Sequence, residues 1–241
     1  MSLAYVAGFA RRIKLGVSVI VVPQRNGIVL AKELATLDHL CQGRLIVGVG
    51  AGWNGAEFKM LGYGDRFKFR GAYLDETIAV WQHLWTTPEM PFQGKYYELP
   101  PVAFGPKPLQ AGGPPIWVGG SSAAARRRAG RVGEAWHPVG IPAGDIEEMS
   151  SPVREAAAGA NRETPAIAPR LPMRLGTEHR ESKTARKMQV LIGEPDQMIK
   201  ELQAYEKAGA SEIICLFGDP KSEDVIAQMS RFSAVVMPAF L

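Results

Sequence analysis

The chain has little cysteine, no surplus of one charge and no long apolar run, and each lack removes a class of protein. Two cysteines in 241 residues, Cys41 and Cys215, cannot make a disulfide framework. They sit far apart in helix-like and strand-like apolar runs and read as buried, reduced thiols of a cytoplasmic protein. Lys+Arg 28 against Asp+Glu 24 leaves a net charge of +4. That is too small to argue for a nucleic-acid partner, although it is compatible with an anionic ligand. No stretch of about 18 apolar residues exists to span a membrane. The first residues, Met1 to Gly8, lack the basic-then-apolar layout of a secretion signal. Walker loops and nucleophile elbows are missing too. His39, His83 and His179 have no partners at ligand spacing, so no metal site is expected. What remains, at 46% apolar and 22% charged residues, is ordinary for a globular domain.

Strand-like and helix-like segments alternate along the chain. Residues 3 to 11 read as the tail of a helix. Ile13 to Val22 is β-branched and apolar on both faces, as in a strand buried in a parallel sheet. Asn26 can cap the next helix, in which Leu30, Leu34, Leu37 and Cys41 recur at helical spacing, and Gly43 suits its end. Leu45 to Val49 is a second buried strand. Leu74, Ile78, Trp81 and Trp85 mark another helix. Residues 86 to 115 hold eight of the 18 prolines and read as an irregular insertion. Within it, Gly94-Lys95 turns a small hairpin between Phe92-Gln93 and Tyr96-Tyr97.

Alternation resumes with a strand at Ile116 to Gly119, a helix at 122–129 and a strand at Ala135 to Val139. A helix follows at 143–159, then a strand at Ala166 to Leu175 that Pro169 and Pro172 weaken. Residues 176 to 193 read as a polar connection. A helix starting at Pro195 ends before Gly209; Ser211 to Phe217 is the last strand, and Val225, Met229, Phe232 and Val236 mark the last helix. Six strands, each followed by a helix, mean parallel α/β. An open doubly wound sheet and a (β/α) barrel both satisfy the pattern, and a full barrel has two more units.

Gly50-Ala51-Gly52-Trp53-Asn54-Gly55 spells G-x-G-x-x-G after a strand. A dinucleotide fold also wants an acid closing the next strand. Asp75 has the spacing but falls within a helix, and that helix begins late, after Phe67 to Arg70. A tight turn or a ligand loop of another kind are the remaining readings. At Gly119-Gly120-Ser121-Ser122 a strand ends in two glycines and two hydroxyls and a helix starts at once. The arrangement suits an anion held on free N–H groups, or simply a serine N-cap. Arg126-Arg127-Arg128 reads as a solvated helix face. His137, at a strand end beside Trp136, is either a proton-transfer or hydrogen-bonding residue or a packed histidine.

Several segments together resemble the bacterial luciferase-like family of flavin- and deazaflavin-dependent oxidoreductases. They are Arg12 to Val19, Leu30 to Leu40, Gly43 through Asn54, Pro115 to Ser122, Trp136-His137-Pro138 and Gly209-Ala210, in that order. The resemblance implies a TIM-type (β/α) barrel spanning residues 1–241 as a single, partial domain, with the first two strands absent and six βα units present. It implies coenzyme F420, with FMN the alternative. Ser18-Val19 matches the position of a non-proline cis peptide behind the cofactor ring, Gly50 and Gly52 the loop beside it, and Gly119, Gly120, Ser121 and Ser122 the phosphate turn. Trp53, Asn54, Trp136 and His137 would line the substrate side, with His137 the candidate catalytic residue. Trp53 stands where the family's sugar-phosphate dehydrogenases have a glutamate, which argues against that substrate. The activity implied is hydride transfer between the cofactor and a small organic substrate. An FMN-dependent monooxygenase and an inactive, anion-binding fragment are the rivals. Uncovered strand edges at 13–22 and 211–217 imply a homodimer or larger assembly.

Overall fold

The structure, a computed structural model, describes residues 2–176, 188–217 and 222–240. His179 and most of the connection expected at 176–193 lie outside the described residues. The chain divides into two compact units. The first comprises Met1–Gly119 with Val132–Glu134, and the second Gly120–Arg131 with Ala135–Leu241.

The first unit carries α1 (Ser2–Ala7), β1 (Leu15–Val21), α2 (Gly27–Leu40), β2 (Leu45–Gly50), α3 (Gly55–Met60), α4 (Arg70–Thr86), the short β3 (Phe92–Gln93) and β4 (Glu98–Leu99), and β5 (Ile116–Gly119). β2 lies between β1 and β5, parallel to both. Its register with β1 runs Leu15↔Leu45 to Val17↔Val47 and resumes at Ile20↔Val49. β1 therefore carries one extra residue, a bulge at Ser18–Val19. Asn26 caps α2 as expected, its Oδ1 accepting from the Ile28 and Val29 amides at 3.0 and 3.1 Å. α4 packs on α2 through two indoles: Trp81 Nε1 donates to Gly27 O at 2.8 Å and Trp85 Nε1 to Ala31 O at 3.2 Å.

Two carboxylates anchor the irregular segment. Asp38, fully buried on α2, accepts from the Gln110 amide at 2.9 Å and from Gln110 Nε2 at 2.8 Å. Glu76, on α4, accepts from the amides of Lys95, Tyr96 and Tyr97 at 3.0, 2.6 and 2.8 Å. The hairpin forms, but its second arm is Glu98–Leu99 rather than Tyr96-Tyr97: Gly94 N bonds Tyr97 O, so the loop is longer than two residues and wraps the Glu76 carboxylate. Asp38→Ala would leave the part-buried Gln110 amide without its acceptor and Gln110 Nε2 with only the Leu45 carbonyl, at 3.0 Å. We expect a loss of about 2–3 kcal/mol in urea unfolding, and a smaller one for Asp38→Asn, which keeps one oxygen.

The second unit carries α5 (Ala123–Val132), whose last residue belongs to the first unit, β6 (Ala135–His137), α6 (Ile146–Gly159), β7 (Ala166–Ile167), β8 (Arg170–Leu175), β9 (Leu191–Gly193), α7 (Pro195–Lys207), β10 (Ile214–Phe217) and α8 (Ser222–Val235). β6 pairs with β7, and β8 lies between β10 and β9, all parallel. α7 starts at Pro195 as expected, and Gly209 follows its end at φ +96°.

Four expectations need correction. β1 is not buried on both faces: only Leu15 is buried, because the strand is at the end of its sheet. The strand expected at 166–175 is two strands, with Pro169, which has no N–H to donate, between them. Leu191–Gly193 is a strand rather than polar connection. Among Arg126 to Arg128 only Arg127 is exposed; Arg128 shares the buried face of α5 with Ala125 and Ala129, three residues before it and one after.

Candidate active site

In the first unit the bulge on β1 is surrounded by glycines. The Ser18–Val19 peptide is cis, at the position the resemblance indicated. A Cβ built on Gly50 would lie 2.7 Å from Val19 Cγ2, and one on Gly119 2.9 Å from Val19 Cγ1. One on Gly48 would overlap the Val17 carbonyl and lie 3.3 Å from Val19 Cγ1. Three missing side chains on β2 and β5 thus make the space that the bulge occupies. Gly48 escaped notice in the sequence, although a glycine inside the Leu45–Gly50 strand is itself a signal for close backbone approach.

The loop after β2 is built for packing. Gly52 has φ +79°, and a Cβ there would lie 2.7 Å from Val21 Cγ1 and 2.9 Å from Phe58 Cε2. Arg70 Nε donates to Gly52 O at 3.0 Å while its guanidinium stacks 4.1 Å from the Phe67 ring centroid. Asn54 caps α3: its Oδ1 accepts from the Ala56 amide at 3.1 Å and its Nδ2 donates to Glu57 Oε1 at 3.1 Å. A helix therefore starts directly at Gly55, which corrects the late start expected from the sequence. Asp75 lies inside α4, not at a strand end, so the dinucleotide reading still fails. Trp53, beside these residues, is 69% exposed.

In the second unit Gly120, Ser121 and Ser122 are exposed, and Gly120 has φ +110°. Ser122 Oγ accepts from the Ala125 amide at 3.2 Å, and Ser122 O from the Arg126 amide at 3.0 Å. The Ser122 hydroxyl is thus engaged as the N-cap of α5. Trp136 is fully buried, and its Nε1 donates to Gly120 O at 2.9 Å. His137 is 1% exposed, with Nδ1 2.5 Å from Ala168 O. A carbonyl only accepts, so Nδ1 carries the proton. Burial, with the Arg170 charge in the same sense and the Ala168 carbonyl opposing, holds the imidazole below the usual histidine pKa. The ring is neutral at pH 7, with its lone pair on Nε2. Trp136 and His137, expected on the substrate side, are thus both buried.

His137 predicts a pH dependence of stability. Its folded pKa lies below the unfolded value of 6.5, so the unfolded chain binds the extra proton. Its contribution is complete above pH about 6.5 and is lost as the pH falls below that, at no more than about 1.4 kcal/mol per pH unit. Urea unfolding at pH 7.5 and 5.5 should show a drop for the wild type that is smaller in His137→Asn, whose amide can still reach Ala168 O.

The other candidates are inert. Cys215 is pushed up to about 11 by burial, and burial also raises the Cys41 thiol, so both are protonated at neutral pH. Among the described residues no group of His, Cys, Asp and Glu could hold a metal, and no helix is long and apolar enough to cross a membrane. His39 and His83 instead meet the carbonyls of Lys107 and Met90 at 2.8 and 2.9 Å.

The pattern of the luciferase-like monooxygenase family matches residues 1–188. An uncharacterized protein of Mycobacterium tuberculosis is 30% identical over 223 residues, 89% of this chain and 76% of its own. The FMNH2-dependent dimethylsulfone monooxygenase of Pseudomonas putida is 34% identical over 133 residues, 53% of this chain and 36% of its own. In fold, the chain is similar to an F420-dependent secondary alcohol dehydrogenase, with a TM-score of 0.83 at 18% identity over 99% of this chain and 83% of the other.

Proposed function

The chain belongs to the luciferase-like monooxygenase family, with its TIM-type α/β fold, and from that premise we propose that it moves a hydride between coenzyme F420 and a small organic substrate. The observation that carries the reading is the bulge at Ser18–Val19 with Gly48, Gly50 and Gly119 against it, in a chain of this family. A flat ring needs a firm support, and a bulge whose Val19 side chain is seated against three glycines is one. The bound deazaflavin or flavin supplies the hydride chemistry; the protein supplies placement and electrostatics.

In this reading Ser18 and Val19 back the ring. The Gly120 and Ser121 amides and the Ser121 hydroxyl hold the phosphate, while Ser122 starts the helix whose dipole favours an anion there. Gly50 and Gly52 act through the packing that shapes the loop. Exposed Trp53 and its neighbour Asn54 form a substrate-side rim in the first unit; Trp136 and His137, buried in the second, hold the backbone at Gly120 and Ala168. An FMN-dependent monooxygenase on the same scaffold is the second reading, favoured by the Pseudomonas putida relative. Titrating the purified chain with F420 and FMN, followed by cofactor fluorescence, separates the two. Micromolar binding of F420 in preference to FMN is expected; preference for FMN supports the second reading, and binding of neither overturns both.

The proposal extends to self-association. Tyr5, Phe9 and Ile13, 73%, 69% and 62% exposed, form an apolar stretch leading into the edge strand β1. Sedimentation velocity at micromolar concentration should show a dimer or larger species, and Phe9→Lys should shift it toward monomer. A wild-type monomer throughout would overturn this part.

A further inference from the structure

The geometry points to Trp136 as a positioning residue for the phosphate turn, an inference that rests on the function proposed above. Gly120 and Ser121 share one peptide plane. In a trans peptide the carbonyl and the N–H point in opposite directions. Trp136 Nε1 holds Gly120 O at 2.9 Å, on the buried side where the indole is wholly inaccessible. The Ser121 N–H of that peptide is therefore turned away from the indole, on a residue that is itself exposed.

A glycine is the residue that would otherwise leave this orientation undecided. At Gly120, with φ +110°, rotation of the peptide about its flanking bonds meets no side chain of its own. The Ser122 hydroxyl, which accepts from the Ala125 amide at 3.2 Å, keeps its own O–H to donate to the same anion. The indole is thus the group that selects one peptide orientation, and it selects the one that offers a donor to an anion. Trp136 is an integral part of the strand pairing, since its own carbonyl accepts from the Ala168 amide at 2.9 Å and it stands opposite Ile167. The donor is held by a strand and not by a loop, which is how a binding group keeps its direction before the ligand arrives.

Trp136→Phe keeps an aromatic ring and removes the N–H. The test compares the cofactor that binds, FMN or F420, with its phosphate-free counterpart, riboflavin or the bare deazaflavin riboside-like chromophore, by fluorescence titration without turnover. In the variant, affinity for the phosphorylated form should fall about three- to tenfold, the worth of one neutral hydrogen bond. Affinity for the phosphate-free form should stay within about twofold. The melting temperature is followed in parallel. Equal losses for both ligands would make Trp136 a packing residue and overturn the inference. An unchanged preference for the phosphorylated form would overturn it too, while leaving the proposed function standing. Binding of neither cofactor by the wild type would overturn both. Should the phenylalanine variant fail to fold, benzothienylalanine at 136, which has the shape of the indole without its N–H, gives the same readout.

Discussion

Gly130→Ala is expected to lower stability by about 2–3 kcal/mol, although local propensity alone predicts a gain. Alanine favours a helix interior over glycine by about 1 kcal/mol. Gly130 lies on α5, however, where a Cβ would overlap Val153 O and lie 2.7 Å from Ala156 Cβ and 2.8 Å from Ala157 N. Two of those atoms are backbone of α6 and cannot rotate away, so the helices must separate. Overpacking of this kind costs roughly 1–3 kcal/mol and more where backbone is hit, which outweighs the propensity. The melting temperature should fall by roughly 5–10 °C. Gly159→Ala is the control: it ends α6, a Cβ there meets nothing within 4 Å, and its effect should be neutral or slightly stabilising. A stabilised Gly130→Ala would show that α5 and α6 are less closely packed than described.

Gly120→Val should weaken binding of FMN or F420 by about a hundredfold, equivalent to about 2.7 kcal/mol. A β-branched residue at φ +110° is strained by roughly 1–3 kcal/mol, and relief comes only by moving the peptide that Trp136 holds. Its added Cβ would also lie 3.2 Å from Ala125 Cβ, on the first turn of α5. The bulk then stands where an anion must approach the Ser121 amide. Fluorescence titration measures the loss, and thermal melting separates it from unfolding. Unchanged affinity in a folded variant would place the phosphate elsewhere.

Features with a local physical cause were readable from the chain. Asn26 before an apolar helical run, Pro195 at a helix start and the β-branched run ending at Val49 all stand where their chemistry put them. α3 was not readable because six residues with one buried apolar position, Phe58, show no periodicity. β9 was missed for the same reason at three residues. At the site, the glycine pairs announced close approach but not what approaches. Gly50 and Gly119 receive Val19 across neighbouring strands, and only the register between β1, β2 and β5 brings these residues together. The holds made by Glu76, Asp38, Arg70 and Trp136 act over sequence separations of 16 to 72 residues, and no local pattern marks them.

The five tryptophans divide in a way that gives the protein its own optical probe. Trp81, Trp85, Trp117 and Trp136 are each at most 8% exposed, whereas Trp53 is 69% exposed on the loop after β2. Four indoles should emit toward the blue and be shielded from iodide. Trp53 should emit toward the red and carry nearly all of the quenchable intensity. Because it sits on the rim proposed for the substrate, occupancy of that rim becomes visible as a loss of iodide access at one residue. Trp53→Phe gives the matching dark protein, in which the same titration should leave the remaining fluorescence inaccessible to the quencher throughout.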